Sequence, residues 1–600
     1  MIRMLRQLRP YYGVAVFILL LTFLQTMSEL FLPTLMADIV DTGIAHGNTP
    51  YIWRIGSYML LFAALGMVCS IAASYFSARV ALGFGRDLRS RVFAHVEHFS
   101  LQEFDRIGTA SLITRTTNDI TQLQQVLTML LRMMLMAPLM MLGGIIMAVS
   151  KQAQLSLIFI VVIPVLGLTI WLIGRQGFPL FKVQQTKLDR LNRVIRENLT
   201  GIRVIRAFNR DRYENVRFDG ASRDLADTAI RVNKLMALMM PMMMLILDVS
   251  IICIVGFGSF QISYGHMQVG DLMAFVQYAT QILFSFLMLS MIFIMIPRAS
   301  ASAARVNEVL DMQPDIVDPV LSQSAGTAGV AVHLAGENVL DGNTDHPAYR
   351  AARDVVLEFD EVEFYYPGAE QPALKRISFQ ARRGEVTAMI GGTGSGKSTL
   401  VNLIPRFYDV SAGAIRMNGH DVRELTQEQL RAQVGYVPQQ ALLFTGTVAD
   451  NIRYGKADAT QEQIVHAARI AQADEFIMRM PDRYESEIAQ GGANVSGGQK
   501  QRLSIARALV RQPELYIFDD SFSALDFKTD ARLRAALQQE TVDSTVLMVA
   551  QRVSTVRDAD QIIVLDEGEI AGIGTHDELM QSCDVYREIV SSQLSEEESA

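Results

Sequence analysis

Several features are scarce in this 600-residue chain, and each shortage argues against a class of protein. Only three cysteines are present, Cys69, Cys253 and Cys583, and their spacing matches neither a metal motif nor a disulfide framework. The net charge is −8, so no basic excess suggests a nucleic-acid partner. Charged residues make up only 19% of the chain against 50% hydrophobic residues, which is unusual for a soluble protein. This composition indicates membrane-spanning segments.

Long apolar runs do occur, and they fill the first half of the chain. Each is close to the roughly 20 residues that cross a bilayer as a helix. Six spans would place both termini on one side of the membrane. Arg3, Arg6 and Arg9 before the first run predict that this side is cytoplasmic, while the connection 263–271 has no Lys or Arg. We therefore predict a multi-pass protein of a cytoplasmic, bacterial-type cell membrane. The six runs are 12–35, 55–80, 129–149, 155–173, 236–259 and 272–296.

The rest of the chain divides into segments of distinct composition. Apolar residues at helical spacing continue through the connections 80–127 and 177–235, which predicts long helical extensions beyond the membrane. Alternating patterns and glycine turns later in the chain predict an α/β domain. The predicted fold class is therefore multidomain, an all-α six-helix transmembrane domain followed by an α/β domain. The predicted boundaries are 1–320 for the membrane domain, 321–355 for a polar linker, 356–593 for the α/β domain and 594–600 for an acidic tail.

A glycine-rich loop in the second half predicts the chemistry. Residues 386–390 form a predicted buried strand that enters the loop, and a helix follows from Lys397. Backbone N–H groups at such a helix N-terminus bind phosphates, Lys397 reaches the β and γ phosphates, and the Ser398 hydroxyl coordinates Mg²⁺. Asp519, which ends another strand, is the expected second holder of the metal ion. The α/β domain is therefore predicted to be a P-loop nucleotide-binding domain, and the predicted cofactors are ATP and Mg²⁺. The predicted phosphate-binding residues are Gly391, Gly392, Thr393, Gly394, Ser395, Gly396, Lys397, Ser398 and Thr399.

A second motif gives this loop a family context. The run Ser496, Gly497, Gly498 and Gln499 resembles the signature of ATP-binding cassette proteins, with Val495 in place of the usual leucine. Two further residues match positions of the same family, and that resemblance implies that both act at the nucleotide site. Tyr366 would stack on adenine, and Gln439 would contact Mg²⁺. The segment 523–526 resembles the loop that crosses between paired cassettes.

The membrane half resembles the exporter type of these transporters. Six spans fused to one cassette make half a transporter, so the resemblance implies a second half-transporter subunit as partner. Each ATP would lie between the P-loop of one chain and the signature of the other. The segments 108–119 and 197–208 contain the runs 114–119 and 200–205, which resemble segments of such exporters. The resemblance implies that these two helical turns are coupling helices, which contact the cassettes, including the partner's.

Two positions depart from the family pattern. Asp520 stands where the family has a catalytic glutamate, and Gln551 stands at the switch position of a histidine. Aspartate is one methylene shorter, and glutamine cannot become cationic beside the γ-phosphate. The hypothesis is a heterodimer in which this chain holds ATP at a degenerate, slowly hydrolysing site and lends its signature to a competent one. The alternative is that aspartate is a tolerated variant.

The predicted function is ATP-driven export of hydrophobic or amphipathic small molecules, lipids or peptides across the lipid bilayer. Glu29 and Asp248 are ionisable residues within apolar runs and are candidates for a cavity that meets a cationic substrate. The alternative is an ABC-type gated channel or regulatory subunit. A further alternative is an importer variant on the same fold.

Overall fold

The structure is a computed structural model that describes residues 8–319 and 354–597. The described chain forms two compact units. The first holds residues up to Glu97 together with Thr109–Met312, and the second holds His98–Gly108 with the residues from Gln313 onward. The predicted linker 321–355 lies outside the described residues except for its last two positions, as do residues 598–600 of the predicted acidic tail.

The first unit is entirely helical where it is described. Six of its stretches are long and apolar enough to cross a membrane: Arg9–Ile44, Thr49–Val96, Thr109–Lys151, Ala153–Thr200, Asp211–Ser263 and Val269–Leu289. The prediction of six spans is therefore confirmed. In chain order the helices up to the cassette are α1 Tyr12–Asp38, α2 Thr49–Val96, α3 Leu101–Ile107, α4 Thr109–Thr114, α5 Ile120–Lys151, α6 Ala153–Ser156, α7 Ile158–Thr200, α8 Ile202–Ala207, α9 Asp211–Ala237, α10 Met239–Ser263 and α11 Val269–Asp311. Of these, α3 alone belongs to the second unit.

The long helices extend well beyond a bilayer. Helix α2 has 48 residues, which at 1.5 Å per residue corresponds to about 72 Å, more than twice the hydrocarbon thickness. A π-helical turn, Arg115–Asp119, connects α4 to α5. The buried Asp119 carboxylate there accepts hydrogen bonds from Ser302 Oγ (2.9 Å) and from the Arg305 guanidinium on α11. This ion pair fastens the predicted coupling segment 108–119 to the end of α11.

The second unit contains the predicted α/β domain. Its main sheet has the order β12-β11-β3-β10-β9-β6, in which all pairs are parallel except β11 with β12. An antiparallel sheet of order β2-β1-β4-β5 and the pair β7-β8 complete it. The strands are β1 Val355–Phe364, β2 Leu374–Arg382, β3 Val386–Gly391, β4 Ala412–Met417, β5 His420–Asp421, β6 Val434–Val437, β7 Gly446–Thr447, β8 Glu487–Ile488, β9 Leu515–Asp519, β10 Thr545–Val549, β11 Gln561–Asp566 and β12 Glu569–Gly574.

Helices surround these strands and position the site. Strands β3 and β9 are buried and flank β10, so the loops that follow all three strands meet at one edge of the sheet. The helices of this domain are α12 Lys397–Leu403, α13 Gln427–Ala432, α14 Val448–Arg453, α15 Gln461–Ile470, α16 Asp474–Ile477, α17 Gly497–Leu509, α18 Phe527–Glu540, α19 Val553–Val556, α20 His576–Ser582 and α21 Asp584–Glu597.

Helix α3 packs within the cassette unit, a feature that the sequence analysis did not predict. Ser100 and Glu103 form a capping box at its start. Glu103 is 3% exposed, and its second carboxylate oxygen accepts the backbone N–H of Asp315 at 3.1 Å. The Tyr408 hydroxyl donates to Asp105 at 3.0 Å. The coupling role of 108–119 and 197–208 stays a prediction, and α3 lies directly before the first of these segments.

Candidate nucleotide site

The phosphate loop connects β3 to α12, and its glycines are required by the backbone. Gly394 and Gly396 have φ angles of +86° and +98°, a region that L-residues rarely adopt. A Cβ on Gly391 would lie 2.1 Å from the Leu565 carbonyl oxygen, and one on Gly396 would lie 2.7 Å from the Leu374 side chain. The loop therefore has the tight curvature and open backbone that suit a phosphate cradle.

Lys397, the first residue of α12, directs its ammonium into this loop. Its Nζ donates to the carbonyl oxygens of Gly391 (2.9 Å) and Gly392 (2.7 Å) and to Ser395 Oγ (3.1 Å). Burial lowers the pKa of Lys397, and the nearby charges of Asp520 and Asp519 partly offset this effect. The ammonium is thus held against the loop that the sequence predicts to bind the phosphates.

A hydroxyl and a carboxylate meet beside the loop. Ser398 Oγ donates to Asp519 Oδ1 at 3.4 Å. Asp519 ends the buried strand β9, is 4% exposed, and burial raises the pKa of its carboxyl. A serine hydroxyl and an aspartate are oxygen ligands that Mg²⁺ accepts, so these residues fit the ion predicted from the sequence. Tyr366 is 38% exposed. Its hydroxyl shares a 2.9 Å hydrogen bond with Thr399 Oγ1 of α12, which holds the ring near the loop.

The two unusual residues contact each other directly. Asp520 Oδ2 accepts a hydrogen bond from Gln551 Nε2 at 2.8 Å and a second one from Gln439 Nε2 at 3.3 Å. Burial raises the pKa of Asp520. Its backbone has φ +47°, and its N–H donates to the Val549 carbonyl at 3.0 Å. The structure therefore brings Gln439, Asp520 and Gln551 into one hydrogen-bonded group.

Sequence reasoning missed one member of this group. Gln593, near the end of α21, donates from Nε2 to the Gln551 carbonyl oxygen at 2.7 Å and accepts from the Val553 N–H at 2.8 Å. Its side-chain amide thus fixes the backbone on both sides of Arg552. No motif marks Gln593, because it lies 42 residues from Gln551 in the chain.

The signature opens helix α17. Ser496 is the N-cap: its Oγ accepts the Gln499 N–H at 3.3 Å, and Gln499 Oε1 accepts the Ser496 N–H at 2.9 Å. At Gly497 a Cβ would meet nothing within 4 Å, so the helix N-terminus is open. Within the described residues, no hydrogen bond or ion pair joins the residues of the signature to the phosphate loop.

Comparisons with known proteins agree with this geometry. The family model of the ABC transporter transmembrane region matches residues 15–286, and that of the ABC transporter matches residues 374–523. An uncharacterized ABC transporter ATP-binding protein of Mycobacterium tuberculosis is 42% identical over 599 residues, which are 99% of this chain and 98% of the relative. This chain belongs to the ABC transporters.

Two further comparisons identify the type of ABC transporter. The ATP-dependent lipid A-core flippase of Syntrophus aciditrophicus is 30% identical over 99% of this chain and 94% of its own length. The solved structure of a bacterial Atm1-family ABC exporter with ATP bound superposes with a TM-score of 0.77 at 26% identity, covering 98% of both chains. The predicted family, exporter-type fold and ATP-driven transport by a multi-pass membrane protein are thereby confirmed.

The ABC exporter also has ionisable residues in its spans, as predicted. Glu29 on α1 is partly buried, and its Oε1 accepts from Gln25 Nε2 at 2.9 Å. Asp248 on α10 is exposed, and its carboxylate has no hydrogen-bond partner among the residues that the structure describes. The two carboxylates therefore have different surroundings.

Proposed function

We propose that this ABC exporter chain is one half of a heterodimer and holds ATP at a degenerate site, while its signature completes the partner's hydrolytic site. The observation that carries the proposal is the 2.8 Å hydrogen bond from Gln551 Nε2 to Asp520 Oδ2. This bond joins the two residues at which the chain departs from its family, so both substitutions affect the environment of the Asp520 carboxylate.

The chemistry of this pair favours binding over hydrolysis. A general base must reach the attacking water within hydrogen-bond distance, and Asp520 is one methylene shorter than glutamate. A misplacement of about 1 Å can cost on the order of 10²-fold in rate. Both amide donors, from Gln551 and Gln439, are directed at the same oxygen of Asp520. Glutamine also cannot supply the positive charge that a protonated histidine would.

The nucleotide-holding groups are complete beside this altered carboxylate. Tyr366 would stack on adenine, Lys397 would bind the β and γ phosphates, and Ser398, Gln439 and Asp519 would hold Mg²⁺. The bound ion would neutralise phosphate charge. ATP at this site would therefore act mainly as a clamp between the cassettes.

Two features of the chain support a second subunit. Helix α8 of the predicted coupling segment 197–208 buries none of its residues within the described chain, and Phe208 after it is 73% exposed. Exposed apolar side chains such as Val204 and Phe208 are typical of a protein contact. Among the described residues, the signature at α17 likewise forms no hydrogen bond or ion pair with this chain's own phosphate loop, which agrees with its use by another chain.

The proposed cargo is a hydrophobic or amphipathic compound moved across the cell membrane, with both termini in the cytoplasm. The similarity to a protein named as a lipid A-core flippase supports an amphipathic substrate. The high apolar content of the spans supports transfer within or from the bilayer.

Site-specific nucleotide trapping tests the heterodimer. The chain would be purified with a second half-transporter encoded beside it, then incubated with photoreactive azido-ATP, Mg²⁺ and vanadate. We expect vanadate-dependent label mainly on the partner, because vanadate traps the product of hydrolysis. Equal labelling of both chains would contradict the degenerate site. Full ATPase activity of this chain alone, with no partner recovered, would contradict the heterodimer.

A further inference from the structure

A proline in the first span leaves a backbone carbonyl without its helical partner. Pro33 lies inside α1 and has no N–H, so the carbonyl of Glu29, four residues earlier, cannot form the usual helical hydrogen bond. Gln281 on α11 occupies this position, and its Nε2 lies 3.4 Å from the Glu29 carbonyl oxygen. Glu29 of α1 and Gln281 of α11 thus meet where α1 lacks one helical hydrogen bond.

The polar atoms at this place include more acceptors than donors. Glu29 Oε1 accepts one hydrogen bond, from Gln25. Gln281 Oε1 is buried and has no hydrogen-bond partner in the described chain. No Lys, Arg or His forms an ion pair with Glu29 among the described residues. The hydroxyl of Tyr278, three residues before Gln281 on α11, is already engaged by Thr34 Oγ1 (2.6 Å) and by the Leu30 carbonyl oxygen (3.0 Å).

Such a surplus of acceptors is costly in a membrane span unless a donor or cation meets it. Apolar and sulfur-containing side chains pack nearby: Leu30 and Tyr278 belong to a buried core cluster against which Met27 packs. Methionine adapts to ligands of varied shape. The surroundings therefore suit a molecule with a positively charged, N–H-bearing end and an apolar body.

We propose that Glu29 and Gln281 form a binding site for lipophilic cations that carry N–H groups. The inference rests on the proposed export of hydrophobic or amphipathic compounds and specifies their charge. The Glu29 carboxylate would receive a charge-assisted hydrogen bond, and Gln281 Oε1 would accept a second N–H. Asp248, exposed on α10, is not part of this site.

Equilibrium binding of ethidium, a lipophilic cation with two aryl amines, tests the site. The exporter and its partner subunit would be reconstituted in nanodiscs, and binding measured by fluorescence polarisation. Nile red, a neutral lipophilic dye, serves as the control probe for the effect of ligand charge. We expect Glu29→Gln to weaken ethidium binding by about tenfold or more, since hydrogen bonds to charged groups are among the strongest. Glu29→Asp should retain most of the affinity, Asp248→Asn should leave it unchanged, and Nile red should bind all variants alike.

The outcomes separate this site from the proposed function. No ethidium binding by the unmodified pair, an unchanged affinity in Glu29→Gln, or an equal loss for both probes would overturn the site. An equal loss in Asp248→Asn would also overturn it, because the effect would then reflect membrane charge in general. ATP-dependent ethidium uptake is measured separately in vesicles. Glu29-dependent binding without uptake would count against export and leave the binding site standing.

Discussion

The cassette of this ABC exporter has two parts at one edge of its main sheet, and they differ in how closely they follow their family. The phosphate-holding part, with Lys397 bound to loop carbonyls and Ser398 beside Asp519, is complete. The part that would handle water, Asp520 with Gln551, is altered at both positions. In the proposed function, ATP binding and ATP hydrolysis depend on different side chains that share one scaffold, so one can change without the other.

The largest effect is expected in the phosphate-holding part. Lys397→Ala removes the ammonium that faces the loop, and we expect ATP affinity at this chain's site to fall by about 100-fold or more, as charge-assisted contacts to two phosphates are lost. Photolabelling with azido-ATP in the absence of vanadate measures this on each chain. Lys375→Ala is the matched control, because the Lys375 ammonium pairs with Glu569 at 3.3 Å and with no residue of the loop in the described part of the chain. Unchanged labelling of Lys397→Ala would contradict the assignment of the loop.

Restoring the family's glutamate and histidine should bring the water-handling part back to the family pattern, as the phosphate-holding part already is. In the double variant Asp520→Glu, Gln551→His we expect hydrolysis at this chain's site to rise by roughly 30-fold, within the range that a misplacement of about 1 Å costs. Vanadate-dependent labelling of this chain is the measurement. If the unmodified chain already traps nucleotide as fast as the double variant, the altered pair is a tolerated variation.

Altering the signature should affect the other site. Ser496→Ala removes a hydroxyl implied to contact the partner's ATP, and we expect the ATPase activity of the pair to fall about tenfold with little change in ATP binding by this chain. The same change removes a helix cap, which costs about 1 kcal/mol of stability. Thr460→Ala is the control, because Thr460 caps α15 with the same capping box. Equal losses in both variants would mean that only the cap matters.

The smallest effect is expected at Gln593. Gln593→Leu releases the backbone of Gln551 and Val553, and we expect the hydrolysis gained by the double variant to fall roughly threefold, because two neutral hydrogen bonds position the switch residue. The KM for ATP should stay unchanged, since the side-chain hydrogen bonds of Gln593 among the described residues go to the backbone of Gln551 and Val553 and not to the nucleotide-holding residues. Ser591→Ala, on the exposed part of α21, should have no effect. A shift in KM with no change in kcat would contradict a positioning role.

Much of the site was predictable because its motifs encode local geometry. The glycine loop between a buried strand and a helix allows few conformations, so the sequence predicted both its place and its ligand. Ser100 and Glu103 carry the spacing of a capping box, but the apolar pattern of 80–127 predicts only long helical extensions and does not separate helix α3 from them. Gln593 could not be predicted, since a single amide without a motif becomes meaningful only through its neighbours in space.

The six spans, the nucleotide loop and the two departures at Asp520 and Gln551 can be identified from the chain alone, because hydrophobic length and short motifs are local properties. The hydrogen bond from Gln551 to Asp520, and the one from Gln281 to the carbonyl freed by Pro33, are evident only in the folded protein. Those contacts join residues 31 and 252 positions apart. Their distances depend on how strands and helices pack, which no local pattern specifies.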